Sequence, residues 1–447
     1  MSRYAEYREV NLPWLKAVPA HWEIRRNKNI FTEQKEIVGE RSADYTLLSL
    51  TLNGIIPRDM DGGGKFPESF DKYKIVKNGD MAFCLFDIDE TPRTVGLSGY
   101  NGMLTGAYTI MRVSNINARF IYYYYLALDN GKMLRPLYTG LRKTININTF
   151  QSTKVPVPPR EEQDQIVRFL DWKVSSINKL INIKKKEIKA INALKRSIIS
   201  HVITHGLMPD VPMKYSGVRW LGDIPAQWQT IKLKRVTKVR NEKGIYTPNS
   251  EDKYIGLENI KGYSNNISIT SSEHDVSVQC ICHSGDLMFS KLRPYLAKTV
   301  IVPYNCFCTG EMMVISAFNG DMRFLRYVML HERFIDSVNS STYGAKMPRA
   351  NSSYILNMQV PIPQVDEQQK IADYIDEKVL QIDMATKKYE QIIDDLQVLK
   401  TRLISDTVTG KIDVRGIEIP EYEFMDEDID NADEIMEQGV NEPLEEE

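Results

Sequence analysis

REEQDQIVRFLDWKVSSINKLINIKKKEIKAINALKRSIISHVITH, residues 160–205, is the stretch that decides the fold. It contains neither Gly nor Pro, and Pro158-Pro159 stand just before it, where a helix start tolerates proline. At 1.5 Å per residue this helix would span about 68 Å, more than a compact domain needs internally. Apolar residues recur at spacings of three, four and seven, which predicts one stripe on a long helix. The stripe residues are Leu170, Val174, Ile177, Ile181, Ile188, Ile191, Ile198 and Val202, and its two vacant positions hold Lys184 and Lys195.

The same pattern returns from Val365 onwards. With a shift of 205 residues, Glu162-Gln163 corresponds to Glu367-Gln368, and Lys195 corresponds to Lys400. So many matches at one spacing indicate a tandem duplication in which a long helix ends each half. In the second helix we predict packing through Ile375, Val379, Ile382, Ile393 and Leu396.

The sequence between the helices predicts α/β modules. Short alternating apolar runs bounded by glycine turns predict strands, and Phe120–Leu128 predicts a buried helix. In the second module we expect strands near Tyr254–Asn259 and Gly285–Ser290 and a helical stretch at Met322–Asn339. The predicted segments are a first module at 1–158, a first long helix at 159–206, a second module at 207–363, a second long helix at 364–411 and an acidic, disordered tail at 412–447.

The net charge of −2 conceals a basic body. Residues 418–447 contain 14 of the 59 acidic residues and no Lys or Arg, so the remainder has 45 acidic against 57 basic residues, a charge of +12. Such a body suits an anionic partner. The tail is interpreted as a solvating segment, and a regulatory role for it is the less favoured alternative.

Targeting and cysteine patterns indicate a cytoplasmic protein. No signal sequence opens the chain, and the longest uncharged apolar run is too short to cross a bilayer, so we expect no membrane association. Five scattered cysteines fit a reducing compartment. Cys280-Ile281-Cys282 and Cys306-Phe307-Cys308 are better explained by strand alternation than by zinc, whose structural sites more often have wider ligand spacing.

Candidate DNA-binding residues lie in loops that differ between the modules. Arg forks onto guanine and Asn onto adenine, and both also hold phosphates. A single charged loop is usually just solvated, but equivalent clusters in duplicated modules on a basic body favour DNA binding. The predicted DNA-binding residues are Arg93, Thr94, Tyr108, Arg142, Lys143, Lys291, Arg293, Tyr295, Lys298, Lys346, Arg349 and Asn351.

Catalytic signatures are absent from the sequence. There is no Walker loop, no Gly-x-Gly-x-x-Gly after a strand, no His-Glu-x-x-His and no Asn-Pro-Pro-aromatic run of the amino-methyltransferases. We therefore expect no catalytic residues, no metal site and no cofactor bound by this chain.

The doubled order of motifs resembles the DNA-specificity subunit of type I restriction-modification systems, from about Trp14 to Gly410. Single motifs are weak, but their duplicated arrangement is specific. The acidic tail falls outside the usual pattern. The residues that carry the resemblance are Trp14-Leu15, Pro19-Ala20-His21-Trp22, Gly79-Asp80, Asp89–Gly96 and Val155–Pro158, with Trp220-Leu221, Pro225-Ala226-Gln227-Trp228, Gly285-Asp286, Ser290–Tyr295 and Glu367-Gln368 in the second half.

The resemblance implies two α/β target-recognition domains separated by two long antiparallel coiled-coil helices. Each domain would read one half of an asymmetric, bipartite site in double-stranded DNA. The subunit would be non-catalytic and would recruit two modification subunits, which methylate adenine with S-adenosylmethionine. Two restriction subunits, which use ATP and Mg, can join such an assembly.

Two other functional classes compete with this interpretation. A two-module protein-binding scaffold with a helical spacer would explain the duplication, but the basic body and basic loops argue against it. A self-sufficient methyltransferase or nuclease is disfavoured by the missing cofactor and catalytic motifs.

Overall fold

The computed structural model describes residues 2–52, 54–58, 67, 69–138, 143–247, 253–268, 276–344 and 347–427. The chain forms two compact units: unit 1 is Met1–Lys185 with Glu390–Glu447, and unit 2 is Lys186–Tyr389. Each unit holds one α/β module, the start of one long helix and the end of the other. The boundary between the units therefore falls inside both long helices, whereas the sequence had predicted each long helix as one separate segment.

Unit 1 is built on the antiparallel sheet β4-β11-β8-β9, against which helix α1 packs. The predicted buried helix at Phe120–Leu128 is confirmed, because it lies within α1 and its aromatic residues enter the core. The elements of the first module are β1 (Tyr7–Leu12), β2 (Leu15–Pro19), β3 (Glu23–Arg26), β4 (Phe31–Gln34), β5 (Leu48–Thr51), β6 (Gly54–Pro57), β7 (Lys74–Val76), β8 (Met81–Phe83), β9 (Val95–Leu97), β10 (Gly102–Leu104), β11 (Thr109–Val113), α1 (Ala118–Asn130), α2 (Ile147–Ser152) and β12 (Lys154–Val157), followed by the long helix α3 (Arg160–His205).

Unit 2 repeats this plan with the sheet β16-β23-β20-β21. The helical stretch predicted at Met322–Asn339 forms two helices, because the His331 side chain accepts a hydrogen bond from the Arg333 amide (3.2 Å) and starts a new helix there. The elements are β13 (Met213–Tyr215), β14 (Asp223–Pro225), β15 (Gln229–Lys232), α4 (Leu233–Val236), β16 (Thr237–Val239), β17 (Lys243–Tyr246), β18 (Tyr254–Ile255), β19 (Ser277–Cys282), β20 (Leu287–Ser290), β21 (Thr299–Ile301), β22 (Cys306–Cys308), β23 (Met312–Phe318), α5 (Met322–Met329), α6 (Glu332–Ser340), α7 (Ser352–Asn357), β24 (Gln359–Ile362) and the long helix α8 (Val365–Val408).

A buried tryptophan joins the two long helices in each unit. In unit 1, Trp22 Nε1 donates to Glu162 Oε1 (2.9 Å) near the start of α3, and Gly410, just past the end of α8, lies against the same ring. In unit 2, Trp228 Nε1 donates to Glu367 Oε1 (3.0 Å), and Gly206 lies against that ring. Both glycines have positive φ, +76° and +74°, which favours glycine at these helix ends. The start of one helix therefore meets the end of the other, so the helices are antiparallel.

The predicted stripe forms the helix contact. The long helix predicted over 160–205 is confirmed by the bounds of α3. Among the residues predicted to pack, Leu170, Ile177 and Ile181 are buried in unit 1 and Ile375 in unit 2; Val174, Ile393, Leu396 and Val379 pack against these cores, and Ile188, Ile191 and Ile382 are half-buried.

Residues 412–427 pack against unit 1, so the prediction that the disordered tail begins at 412 is wrong for this part. Val414 is fully buried, and Gln165 Nε2 donates to the carbonyls of Val414 (3.1 Å) and Ile417 (2.8 Å). Three polar residues, each following a stripe residue by one position, extend the contact along α3: Ser175 donates to the Glu423 carbonyl (3.0 Å), Asn178 to Met425 (3.2 Å) and Asn182 to Asp426 (3.0 Å). Residues 428–447 of the predicted tail lie outside the described residues.

The Gly-Asp motif of each module forms a turn before a core strand. Gly79 and Gly285 both have φ of +89°, a conformation that glycine adopts without a Cβ penalty. The buried carboxylates of Asp80 and Asp286 accept backbone hydrogen bonds within the turn (3.0 and 2.8 Å). They also pair with Arg112 (3.2 Å) and Arg240 (2.7 Å), respectively. The motif is thus part of the framework.

The cysteine pairs lie on adjacent strands of unit 2. Cys280 is opposite Cys308 and Cys282 is opposite Cys306 in the β19·β22 ladder. All five cysteines are free thiols, and three of these four are buried. Within the described ranges, no group of three or more His, Cys, Asp or Glu side chains is arranged to hold a metal ion. None of the helices there combines the length and apolar character needed to cross a membrane.

Candidate nucleic-acid interface

The two predicted loops of unit 2 lie side by side. We call residues 290–298 and 343–351 the paired loops of unit 2. The Arg293 amide donates to the Pro348 carbonyl (2.8 Å), and the Ala350 amide donates to the Lys291 carbonyl (2.9 Å). The structure thus brings together clusters that are about 50 residues apart in sequence, and the backbone hydrogen bonds hold them as one surface.

Several large side chains project from this surface. Arg293 is exposed, and the exposed fractions are 51% for Tyr295, 64% for Tyr343 and 53% for Met347. Lys291 is half-buried. Neither the Lys291 ammonium nor the Arg293 guanidinium has a hydrogen-bond or ion-pair partner among the described residues. Free cations beside exposed aromatic rings suit a nucleic acid, whose phosphates and base edges they can contact.

Three other predicted residues of unit 2 already have partners in the protein. Arg349 forms a bidentate pair with Glu311 (2.7 and 3.0 Å). The Lys298 ammonium donates to the Leu257 carbonyl (2.7 Å), and burial lowers the pKa of Lys298. Asn351 caps α7 by accepting from the Ser353 amide (2.8 Å). Arg349 and Lys298 therefore position the loops. Lys346 lies outside the described residues.

Unit 1 has equivalent paired loops, residues 84–94 and 135–145. The Ile145 amide donates to the Leu85 carbonyl (2.8 Å), the counterpart of the hydrogen bond between Ala350 and Lys291. Asp89 accepts from Arg135 (2.7 Å) and Tyr138 (3.0 Å), and the Arg135 hydrogen bond lowers the pKa of Asp89. The backbone arrangement is shared, whereas the side chains differ.

Among the described residues, Lys143 is a predicted unit 1 cation that remains accessible. Its side chain is 48% exposed and lies 3.6 Å from Glu90 and 3.9 Å from Asp89, distances that leave only loose ion pairs. Arg142, predicted beside it, lies outside the described residues.

Arg93, Thr94 and Tyr108, which were predicted to contact DNA, lie largely inside unit 1. Arg93 is 14% exposed and donates to Asp129 (2.9 Å). Thr94 is buried and donates to Asp129 through its hydroxyl (2.7 Å) and its amide (3.1 Å). Tyr108 is 4% exposed within a small apolar cluster. All three stabilise unit 1, because a buried carboxylate and a packed ring need these contacts.

Asp87 is a loop residue that the sequence analysis missed. It lies 206 positions before Arg293, is exposed, and adopts the same left-handed conformation, with φ of +44° against +48°. Arg135 and Tyr138 were missed as well. Loop composition could have suggested the tyrosine, but the left-handed φ angle of Asp87 leaves no signal in a sequence without glycine or asparagine at that position.

A family comparison decides what these paired loops belong to. The profile described as "Type I restriction modification DNA specificity domain" matches residues 70–192 and again residues 225–393. The chain belongs to this family. The two matched regions show that this specificity subunit has two recognition domains, and each match extends into a long helix.

Named relatives agree with this membership. The specificity subunit of the type I restriction enzyme MjaVIII from Methanocaldococcus jannaschii is 24% identical over 92% of this chain and 98% of its own length. The EcoDI specificity subunit from Escherichia coli is 23% identical over 46% of this chain and 44% of its own length. Specificity subunits of type I systems are non-catalytic, and so is this chain.

Solved structures share the fold. A chain in the structure described as "Structural basis underlying complex assembly and conformational transition of the type I R-M system" superposes with a TM-score of 0.60 at 13% identity. The match covers 88% of this specificity subunit and 99% of that chain. The fold is therefore a tandem pair of α/β recognition domains with two long antiparallel helices.

Proposed function

We propose that each pair of loops contacts one half of an asymmetric, bipartite site in double-stranded DNA. The observation that carries the proposal is the contrast between shared framework and different loop chemistry. The hydrogen bond that joins the paired loops is the same in both units, but unit 2 presents unpartnered Lys291 and Arg293, whereas unit 1 presents Asp87 and Lys143. Two readers with different side chains on one framework recognise two different sequences.

In this assignment, accessible side chains contact DNA, and side chains with protein partners support the loops. Arg293, Lys291 and Tyr295 in unit 2 and Lys143 in unit 1 are accessible and face DNA. Asn351 is exposed as well, although its side chain caps a helix. Arg142 and Lys346 remain predicted contacts.

Partners supply the chemistry that this chain lacks. We infer that two modification subunits dock on the long helices and methylate adenine with S-adenosylmethionine. Two restriction subunits, which use ATP and Mg, can join the assembly. The relatives' names place them in type I restriction enzymes, which supports DNA and enzymatic partners for this chain as well. Location in the cytoplasm remains a prediction.

Binding selection from random double-stranded DNA tests the proposal. The chain, assembled with its modification subunits, is expected to enrich two fixed half-site base sequences separated by an unspecified spacer. Each half-site sequence is called a word below. Arg293→Ala and Lys291→Ala should each relax the word read by unit 2 and leave the other word unchanged. An Arg forked onto a base contributes about 1–3 kcal/mol of discrimination, so relaxation should reach about fivefold or more at one position.

Lys214→Ala is the matched control, because it removes one exposed cation from strand β13, outside the paired loops. It should weaken binding slightly and equally for all sequences, as a lost long-range charge does. Equal relaxation of both words by Arg293→Ala would contradict the assignment. A chain that binds its protein partners but retains no DNA would instead favour the protein-binding scaffold.

A further inference from the structure

One position in the duplicated modules combines an unusual backbone with opposite charges. Asp87 and Arg293 both adopt left-handed φ angles, +44° and +48°, which few residues other than glycine adopt without cost. Strained backbone of this kind persists where the surrounding structure enforces it, and it concentrates at functional sites. The strain is kept at the same point of both paired loops although the side chain differs.

Local contacts enforce this backbone. The Asp87 carbonyl accepts from the Glu90 amide (3.0 Å) and the Thr91 amide (2.9 Å). In unit 2, the Arg293 carbonyl accepts from the Leu296 amide (3.0 Å), and the Arg293 amide is held by the Pro348 carbonyl. In both loops the residue therefore stands at a fixed turn with an exposed side chain.

Both residues carry exposed charges. Asp87 and Arg293 are exposed, and neither side chain has a hydrogen-bond or ion-pair partner in the described part of the chain. Their neighbours differ in this respect: Asp89 is held by Arg135 and Tyr138, and Glu90 lies near Lys143. This loop position thus carries an exposed charge with no partner among the described residues, negative in unit 1 and positive in unit 2.

The sign of the charge restricts what each residue can contact on DNA. A carboxylate only accepts hydrogen bonds, and phosphates repel it, so the available partners on a duplex are base amino groups. In the major groove these are N4 of cytosine and N6 of adenine, whereas an Arg forks onto O6 and N7 of guanine. Opposite charges at one position therefore require different bases.

We propose that Asp87 is a specificity-determining residue of unit 1 that accepts a hydrogen bond from the exocyclic amino group of a cytosine or an adenine. Arg293 takes the equivalent place in unit 2 and donates to a guanine. The exchange of one side chain at one backbone position makes the two words differ at that point. This inference rests on the proposed function, because it requires that the paired loops read DNA.

The test compares Asp87→Gly, Asp87→Asn and Asp87→Arg by binding selection with the assembled complex. Glycine removes the carboxylate and tolerates the φ angle, so this variant should fold normally while its preference at one base pair of the unit 1 word falls about tenfold. Asparagine keeps the shape, loses the charge and can fork onto adenine, so this variant should lose a preference for cytosine at that base pair but keep a preference for adenine. Arginine should change the preferred base there to guanine.

Glu9→Gln is the control for charge alone, since Glu9 is exposed on β1 and its loss changes the net charge equally. It should raise affinity for all sequences and leave both words intact. The base that wild type prefers at the responding position, cytosine or adenine, identifies the contacted amino group.

Unchanged words in all three Asp87 variants, or a uniform gain in affinity like that of Glu9→Gln, would overturn the inference. So would a change in the word read by unit 2. If wild type selects no bipartite site, the proposed function itself fails, and that result is read from the wild-type arm alone.

Discussion

Glu427 Oε2 lies 2.7 Å from Lys400 Nζ, and in unit 1 it takes the place that Asp383 holds beside Lys195 in unit 2 (2.7 Å). Lys195 and Lys400 are equivalent stripe positions, 205 residues apart, and the partner equivalent to Asp383 is Asn178. Asn178 is neutral and accepts from Lys400 at 3.1 Å. The tail therefore supplies the carboxylate that this position of α3 lacks.

We predict that Glu427→Gln loosens the tail and that Asn178→Asp restores the helix pair. Removing the carboxylate from a largely buried pair should cost about 1–3 kcal/mol, because Lys400 loses its counter-charge. Hydrogen exchange should show faster exchange at the Met425 amide, which donates to Ser175 Oγ (2.8 Å).

The double variant separates the helices from the tail. With Asp at position 178, the amides of α8 near Lys400 should regain wild-type protection, whereas the tail stays loose. If the amides of α8 near Lys400 do not regain protection, the two carboxylates are not interchangeable. The same follows if Asn178→Asp changes protection equally in wild type and in Glu427→Gln.

Acid should release the same segment. Burial raises the pKa of Glu427, but the hydrogen bond from Lys400 and the charges of Lys400 and Lys185 outweigh it and hold the pKa below the ordinary value of 4.5. The stabilisation is therefore complete above that ordinary value and is lost as the pH falls through the lower folded-state pKa. Proteolysis of the tail by pepsin between about pH 5 and pH 2 measures this, and Glu427→Gln should show the release already at pH 5.

Asp129→Ala should destabilise unit 1 strongly. The carboxylate is 1% exposed and accepts hydrogen bonds from Arg93, Thr94 and Lys132. Its removal leaves two cations without their counter-charge, which typically costs about 3–5 kcal/mol. Exchange measured peptide by peptide should rise in unit 1 and stay unchanged in unit 2.

Arg93→Ala is the companion variant that distinguishes support from recognition. It should lower the stability of unit 1 and leave the selected DNA word unaltered in the fraction that folds. A base-specific change in that word would show that Arg93 contacts DNA after all.

The helices should act as a ruler between the two readers. Insertions near Ser200–Gly206 would break unit 2, because Ile203 is buried and Gly206 packs on Trp228. Four residues inserted after Lys185 and four after Tyr389 leave both units intact and lengthen each helix by about 6 Å. We expect the unspecified spacer to grow by one or two base pairs with both words unchanged, as methylome sequencing would show. An unchanged spacer would refute the ruler.

Sequence periodicity was enough to predict the long helices, but it did not identify the partners of the charges. The stripe and its two lysine positions were visible because a helix repeats every 3.6 residues. The partner of Lys195 is 188 residues away, and the partner of Lys400 comes from a tail whose composition resembles disorder. Composition predicts solvation on average, whereas Ser175, Asn178 and Asn182 bind the tail's backbone irrespective of its side chains.

For a similar reason, only some of the predicted DNA-binding residues are accessible in the structure. Loop positions followed from glycines and from divergence between the modules, and within each unit a backbone hydrogen bond joins the two loops of the pair. The exposure of each side chain could not be predicted in the same way. Arg93 lies in a sequence typical of a loop, yet its side chain donates to the buried Asp129, 36 residues later on α1. An arginine's role depends on whether a buried carboxylate lies within reach, and only the tertiary structure decides that.

The way each tryptophan closes over the end of the other module's helix determines the order in which the chain can fold on the ribosome. Unit 2 is one continuous segment, Lys186–Tyr389, so all its parts have been synthesised before translation ends. Unit 1 starts first but lacks the residues that cover Trp22 until Gly410 emerges. The first module to be made is thus the last to close, and its exposed apolar face must be kept from aggregating while more than 200 further residues are translated.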